Sequence, residues 1–140
     1  MTRAVVDPGV LVSAFIGRQG SVADRIVRAW RAGRIELVVS ETLLGELADV
    51  LARPKFAHVA RDRRAVDFVA ALRAGTTFLS DPPEGDEPIT RDRKDDYLVQ
   101  LARSVAVDAL VSGDRDLLEA GLADVNVMTP RAFIDAFERE

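Results

Sequence analysis

Five short apolar runs alternate along this chain with longer segments of helical periodicity, and this alternation restricts the fold more than any other feature of the sequence. Each run has the length of a buried strand, and most of them end at a polar residue. Strands that alternate with helices are typical of a parallel sheet that is covered by helices on both faces. We therefore predict an α/β fold with strands at residues 3–6, 35–39, 76–79, 108–112 and 126–128.

Capping residues mark where several of the predicted helices begin. Asp7 precedes Pro8, Thr129 precedes Pro130, and Ser40 precedes a segment of helical periodicity. A side-chain oxygen before the first turn, and proline in it, are strong signals of a helix start. The predicted helices lie at residues 21–32, 41–52, 61–74 and 92–104, with a short helix near 117–118, one beginning at residue 8 and a last one from 130 to about 139.

Composition narrows the class of protein to which this chain can belong. With 140 residues, of which 48% are apolar and 30% charged, it is expected to form one folded domain over residues 1–140. No apolar run is long enough for a membrane span, and no signal-peptide region is visible, so we expect a cytoplasmic protein. The absence of cysteine excludes thiolate zinc sites and cysteine nucleophiles, and the single histidine, His58, excludes metal motifs with two histidines.

Several acidic residues lie where a parallel sheet would bring them together. Asp7 follows the first strand, and Asp114 and Asp116 follow the fourth. Because parallel strands end at the same edge of a sheet, these acids should approach one another in space. On helical wheels, Glu46 lies beside the apolar stripe of its helix, and Asp95 lies about 70° from the centre of its own. The same wheel directs Asp96, the next residue along the chain, into solvent.

A cluster of carboxylates requires a compensating charge. Like charges that are brought together repel and lose hydration, so a basic side chain or a divalent cation must offset them. Ligands that are all oxygen favour one or two Mg²⁺ or Mn²⁺ ions over Zn²⁺, and carboxylate-bound Mg²⁺ suits phosphate-ester chemistry. Each acid also has an ordinary explanation, since Asp7 and Asp114 can cap helices, Asp95 can be a first-turn acid, and Glu46 can be a solvated residue.

Four segments of the sequence, in this order and at compatible spacing, resemble the motifs of PIN domains. They are residues 5–14, 43–51, 92–102 and 111–118. The similarity extends over about residues 3–137 and is greatest to the group described as putative toxins of toxin–antitoxin systems. It implies a three-layer α/β/α sandwich with a central, mainly parallel sheet of four to five strands. It also implies a metal-dependent ribonuclease for single-stranded RNA, the toxin of a type II system, with a small antitoxin as partner and a homodimeric state.

The resemblance also implies roles for individual residues. Asp116 corresponds to an auxiliary position that is often acidic in the family and is a further candidate metal ligand. Ser112 stands where relatives often have Thr or Ser, and Asp92 opens the third motif, so both are expected to support the site. The metal-coordinating and catalytic acids of the family correspond to four carboxylates of this chain: Asp7, Glu46, Asp95 and Asp114.

One departure from the family pattern leaves a second function open. Many relatives have Thr-Asn after the first Asp, where the Asn usually helps to order the site, whereas this chain has Pro8-Gly9. A catalytically weak or inactive module that uses the PIN fold for binding is therefore the alternative. Two other carboxylate-dependent classes fit poorly, because a receiver domain needs paired acids at the first strand and a haloacid-dehalogenase phosphatase needs Asp-x-Asp there.

A net charge of −4 would ordinarily argue against a nucleic-acid partner, but the charges are unevenly placed. Four of the 23 acids are assigned to the candidate site, which leaves 19 acids against 19 basic residues. Trp30 is expected to be a core residue, and Tyr97 could stack on a base. The cations that border the second and third motifs are the candidates for contact with RNA phosphates: Arg53, Lys55, Arg91 and Arg93.

Overall fold

In a computed structural model, the described residues, 1–58, 63–85 and 87–139, form a five-stranded, wholly parallel sheet flanked by helices. The strand order is β3-β2-β1-β4-β5, so the first strand lies at the centre of the sheet. The architecture confirms the predicted three-layer sandwich, and every strand lies within one residue of its predicted bounds. The strands are β1 (Thr2–Val6), β2 (Ile35–Ser40), β3 (Thr77–Leu79), β4 (Ala109–Val111) and β5 (Val127–Met128).

Three of the helices begin at the capping residues that the sequence indicates. The side chains of Asp7, Ser40 and Thr129 each accept a hydrogen bond from a backbone N–H in the first turn of the helix that follows. The predicted start of the fourth helix at residue 61 lies outside the described residues. The helices are α1 (Pro8–Ile16), α2 (Val22–Arg31), α3 (Glu41–Leu51), α4 (Arg64–Gly75), α5 (Asp96–Ser104), α6 (Arg115–Leu118) and α7 (Pro130–Glu138).

The core lies on both faces of the sheet, which explains why the strands lack polar alternation. Trp30 on α2 is 8% exposed, as expected of a core residue, and its indole N–H donates to the carbonyl oxygen of Gly75 at 2.9 Å. A Cβ atom at position 75 would lie only 2.9 Å from the Trp30 ring, so this contact requires glycine. None of the helices built from the described residues is long and apolar enough to span a membrane.

The prediction that Asp96 points into solvent is wrong. Asp96 is only 4% exposed, and its carboxylate accepts hydrogen bonds at 2.9 Å from the backbone N–H groups of Ile89 and Thr90. The Thr90 hydroxyl donates to it at the same distance. The helical wheel failed because residues Arg93–Asp95 form a 3₁₀ turn and α5 begins only at Asp96. The carboxylate therefore binds the loop that precedes the helix.

We expect Asp96→Ala to lower the free energy of unfolding by about 3 kcal/mol at pH 7, because buried N–H donors would lose a charged acceptor. Burial raises the pKa of Asp96, but the hydrogen bonds from Ile89 and Thr90 lower the pKa by more than burial raises it. The net shift is therefore downward. The stabilisation is therefore present above the unfolded pKa of about 4. It is lost as the pH falls through the depressed folded pKa.

Urea unfolding followed by circular dichroism measures this loss, with Asp49→Ala as the matched control. Asp49 is an exposed acid on α3, so its replacement should change stability by less than about 0.5 kcal/mol. Equal effects of the two substitutions would contradict the assigned role of Asp96.

Candidate active site

The pairing of β1 with β4 brings the first acid beside the fourth motif. Val6 lies opposite Val111, and the backbone N–H of Asp7 donates to the Val111 carbonyl oxygen at 2.9 Å. Ser112, the residue that follows the end of β4, is fully buried. Its hydroxyl donates to Oδ2 of Asp7 at 2.7 Å and accepts from the backbone N–H of Asp114 at 3.0 Å. A single hydroxyl thus connects the carboxylate of Asp7 with the backbone of Asp114, 107 positions away in the sequence. The supporting role of Ser112 in the site stays a prediction.

The Pro8-Gly9 pair supplies Asp7 with a backbone donor. Pro8 occupies the first position of α1, where its missing N–H costs nothing, and the N–H of Gly9 donates to Oδ1 of Asp7 at 2.9 Å. With Ser112 on Oδ2, both carboxylate oxygens of Asp7 are held. Although this chain lacks the Thr-Asn pair, both carboxylate oxygens of Asp7 are therefore held in place by hydrogen bonds.

Asp114 lies at the start of α6, beside an open cleft. Its Oδ1 accepts the backbone N–H of Asp116 at 2.8 Å, which makes it the N-cap of that short helix. A cleft of about 480 Å³ is lined by Asp7, Asp114, Gly113 and Ser13, among others. The first and fourth acids therefore border space that a ligand can enter.

Asp95 has a strongly raised pKa among the acids of the site. It is half-buried at the N-cap position of α5. Burial, a hydrogen bond with the Asp114 carboxyl, and the charges of Asp114, Asp7 and Asp92 raise the pKa of Asp95 to about 7. The shift indicates that the third and fourth acids are adjacent and that the first lies within electrostatic range. Asp92, exposed at the start of the 3₁₀ turn, accepts the N–H of Lys94 at 3.0 Å.

Glu46 is half-buried on α3, and Tyr97 of α5 donates its hydroxyl hydrogen to Oε2 of Glu46 at 3.0 Å. Burial raises the pKa of Glu46; the Tyr97 hydrogen bond lowers it, and the charges of Asp7, Asp49 and Asp92 raise it, with a net upward shift. Sequence reasoning missed this partnership. The only signal for it was the position of Tyr97, two residues after Asp95.

The predicted acids share an electrostatic neighbourhood but do not form a ready metal cage. Within residues 1–58, 63–85 and 87–139, no three acidic or histidine side chains are grouped so that they could hold a metal ion. The donor set nevertheless fits a hard divalent cation, because all the candidate ligands are carboxylate oxygens and, besides burial, the charges of Asp114, Asp7 and Asp92 raise the pKa of Asp95. The Asp116 carboxylate lies 3.9 Å from the guanidinium of Arg91, and its backbone N–H donates to Asp114; its role as a further metal ligand stays a prediction.

The predicted RNA-binding cations divide into two groups. The side chain of Arg91 is 79% exposed and lies close to the site, because its guanidinium approaches the carboxylate of Asp116. The side chain of Arg93 forms an ion pair with Glu84 at 2.9 Å. Arg53 and Lys55 follow the end of α3, about two helical turns beyond Glu46. In the part of the chain that the structure describes, neither of these two residues forms a hydrogen bond or ion pair with a site acid.

Comparison with known proteins gives a family and a set of similar folds. Residues 3–116 match the sequence profile of the PIN domain. PAE2754 from Pyrobaculum aerophilum superposes with a TM-score of 0.64 at 16% identity, over 99% of this chain and 97% of that one. The RRP44 PIN domain of T. brucei gives a TM-score of 0.56 at 13% identity, over 99% of this chain and 82% of that one. The structure of FitAB bound to an IR36 DNA fragment also gives a TM-score of 0.56, at 15% identity, over 91% of this chain and 94% of that one. No curated protein matches the sequence.

We expect the metal-free protein to lose stability as the pH rises from about 4 to 7. The folded pKa of Asp95, about 7, lies above its unfolded value of 3.8, so the folded state binds the proton more tightly. Its favourable contribution is complete below the unfolded pKa and is lost as the pH rises through 7. When unfolding is measured in EDTA, Asp95→Asn should reduce the dependence of the unfolding free energy on pH, whereas Asp49→Asn should leave it unchanged. Equal pH dependence in Asp95→Asn and wild type would refute the assignment of this effect to Asp95.

Ser112→Ala should weaken the binding of divalent cations by roughly 10–100-fold, because Asp7 and Asp114 would lose the hydroxyl that orients them. Calorimetric titration with Mn²⁺ measures the loss. Ser13→Ala, which removes a hydroxyl in the same cleft that donates to the Gly9 carbonyl oxygen, is the matched control. An affinity of Ser112→Ala within twofold of the wild-type value would show that the bridge is dispensable.

Proposed function

The chain belongs to the PIN domain family, whose fold is a nuclease fold, and we propose that it is a Mg²⁺- or Mn²⁺-dependent endoribonuclease. The observation that supports this proposal best is the Asp7–Ser112–Asp114 hydrogen-bonded network, with Asp95 adjacent to it, at the edge of an open cleft. Carboxylates held close together without a cationic partner are costly for a fold, and this cost favours a binding role for them.

In the proposed reaction, water attacks a phosphodiester bond of RNA. The residues that would hold one or two ions are Asp7, Glu46, Asp95 and Asp114. A bound divalent ion would supply a water of lowered pKa and neutralise charge that develops on the phosphate. The protein's contribution is orientation: Ser112 and the Gly9 N–H fix Asp7, Tyr97 holds Glu46, and the N–H of Asp116 fixes Asp114.

The proposed substrate is single-stranded RNA that enters the cleft beside Asp7 and Asp114. Arg91 is the cation best placed to contact a phosphate there, because its side chain is exposed and near Asp116. Arg93 is engaged with Glu84 and the carbonyl oxygen of Gly85, so it is a weaker candidate for this contact. Arg53 and Lys55 would contact only a longer strand that extends beyond the site.

The toxin role is also a proposal, supported by the likeness of the four sequence motifs to toxins of toxin–antitoxin systems. It includes a small antitoxin protein as partner, a homodimeric state and a cytoplasmic location. Expression of the chain alone should arrest growth of a bacterial host, and co-expression of a small open reading frame from beside its gene should relieve the arrest.

A catalytically weak or inactive binding module is the second candidate function. Its support is the Pro8-Gly9 departure, together with the absence of a three-ligand group among the described side chains. The two candidates differ in turnover, since the module would bind divalent cations or RNA without producing cleaved ends.

Asp7→Asn and Asp114→Asn should each reduce RNA cleavage by at least about 100-fold, since loss of an outer-shell partner alone costs roughly 10–100-fold. Both proteins should remain folded, because each substitution removes like-charge repulsion and asparagine still caps a helix. The assay is cleavage of single-stranded and structured RNAs with Mn²⁺, Mg²⁺ or EDTA. Asp49→Asn, an exposed acid on α3, is the control. Wild-type cleavage by either site variant, or cleavage in EDTA, would overturn the proposal.

A further inference from the structure

We propose that Tyr97 is a positioning residue for Glu46: its hydroxyl holds one carboxylate oxygen of Glu46 and leaves the other for a divalent cation. This inference rests on the metal site of the proposed function. It means that α5 contributes to this site a positioning residue, Tyr97, in addition to the proposed ligand Asp95 at its N-terminus. Tyr97 would act through Glu46 and would not itself contact the ion or the RNA.

The geometry of the contact joins two helices that approach the site from different parts of the chain. Tyr97 and Glu46 are 51 residues apart in sequence, and the hydroxyl lies 3.0 Å from Oε2 of Glu46. The Tyr97 ring packs against the core, next to the fully buried Leu98, and Glu46 precedes the fully buried Leu47. Because both backbones are fixed by buried neighbours, this hydrogen bond restrains the remaining freedom of the Glu46 side chain.

The charges around Glu46 explain why a neutral donor suits this position. Asp7, Asp49 and Asp92 all act on the carboxylate of Glu46 as like charges. An arginine or lysine partner would hold Glu46 but would cancel the negative charge that attracts a cation. A phenol donates one hydrogen bond and leaves the full charge of the carboxylate in place.

The contact also bears on the expectation that Tyr97 stacks on a base. The Tyr97 hydroxyl carries one hydrogen, and it donates this hydrogen to the Glu46 carboxylate. Stacking on RNA is a separate role that depends on the ring alone, so it would survive removal of the hydroxyl.

Tyr97→Phe separates these roles, because it deletes the hydroxyl and keeps the ring. We expect its affinity for Mn²⁺, measured by calorimetric titration without RNA, to fall by about 10-fold, as outer-shell substitutions do. In a Glu46→Gln background the same substitution should change the affinity by less than twofold, because the group on which Tyr97 acts has gone. Tyr97→Leu, which also removes the ring, should match Tyr97→Phe in Mn²⁺ affinity if both proteins fold.

A second readout uses the fact that the chain contains a single tyrosine. Incorporation of 3-fluorotyrosine therefore gives one fluorine resonance from position 97. Addition of Mg²⁺ should shift this resonance, and Mn²⁺ should broaden it, in the wild-type background. The shift with Mg²⁺ should be lost in Glu46→Gln, whereas the broadening by Mn²⁺, which depends only on distance from the ion, should persist there and show that the ion is bound. Thermal unfolding of Glu46→Gln is measured in parallel to show that it is folded.

The outcomes distinguish this inference from the proposed function. Wild-type Mn²⁺ affinity in Tyr97→Phe overturns the positioning role, and so does a lower unfolding temperature with unchanged affinity, which would show a structural role only. Absence of Mn²⁺ binding by the wild-type protein also overturns it. If Mn²⁺ binding depends on Tyr97 and Glu46 as expected but no RNA is cleaved, the positioning role stands and the nuclease function fails.

Discussion

The parallel pairing of β1 with β4 is the constraint on which the candidate site depends. It places Val6 opposite Val111, so that Asp7 and Ser112 leave the sheet side by side, and the Ser112 hydroxyl then reaches both Asp7 and the backbone of Asp114. A slip of one residue in this register would turn the side chains to the other face and separate the acids. The buried strands on either side fix the register, so the hydrophobic core determines the position of the most polar part of the molecule.

The site gathers negative charge and stabilises it with neutral donors. Backbone N–H groups hold Asp7 and Asp114, a serine hydroxyl bridges them, and a phenol holds Glu46. None of these donors neutralises a carboxylate, and the repulsion that remains appears in the raised pKa of Asp95. Among the described residues, the cationic group nearest to a predicted ligand is the Arg91 guanidinium. It lies 3.9 Å from the carboxylate of Asp116, which the Ser112 hydroxyl does not contact. This arrangement suits a site that receives its positive charge from a ligand.

Much of this could be predicted from the sequence, because the informative signals are local. Apolar runs located all five strands, and Asp7, Ser40 and Thr129 located helix starts, since capping depends on residues only a few positions apart. The convergence of Asp7 with Asp114 followed from strand direction alone. The helical wheel also placed Glu46 beside the apolar stripe of its helix, and its half-buried position is confirmed.

The predictions failed where the chain departs from regular structure or where contacts join distant segments. The wheel for residues 92–104 assumed one continuous helix, whereas a 3₁₀ turn precedes α5 and the loop at Ile89 and Thr90 folds onto Asp96. The Tyr97–Glu46 hydrogen bond depends on how α3 and α5 pack across the sheet edge, which no periodicity encodes.

Anomalous scattering from crystals grown with Mn²⁺ would show whether the carboxylates at this sheet edge form a divalent metal site. We expect a manganese peak within coordination distance of Asp7 and Asp114, with Asp95 or Glu46 turned toward it, and loss of the peak in Asp7→Asn crystals. A map with no manganese at this edge, or with manganese bound only at acids elsewhere on the surface, would contradict this expectation.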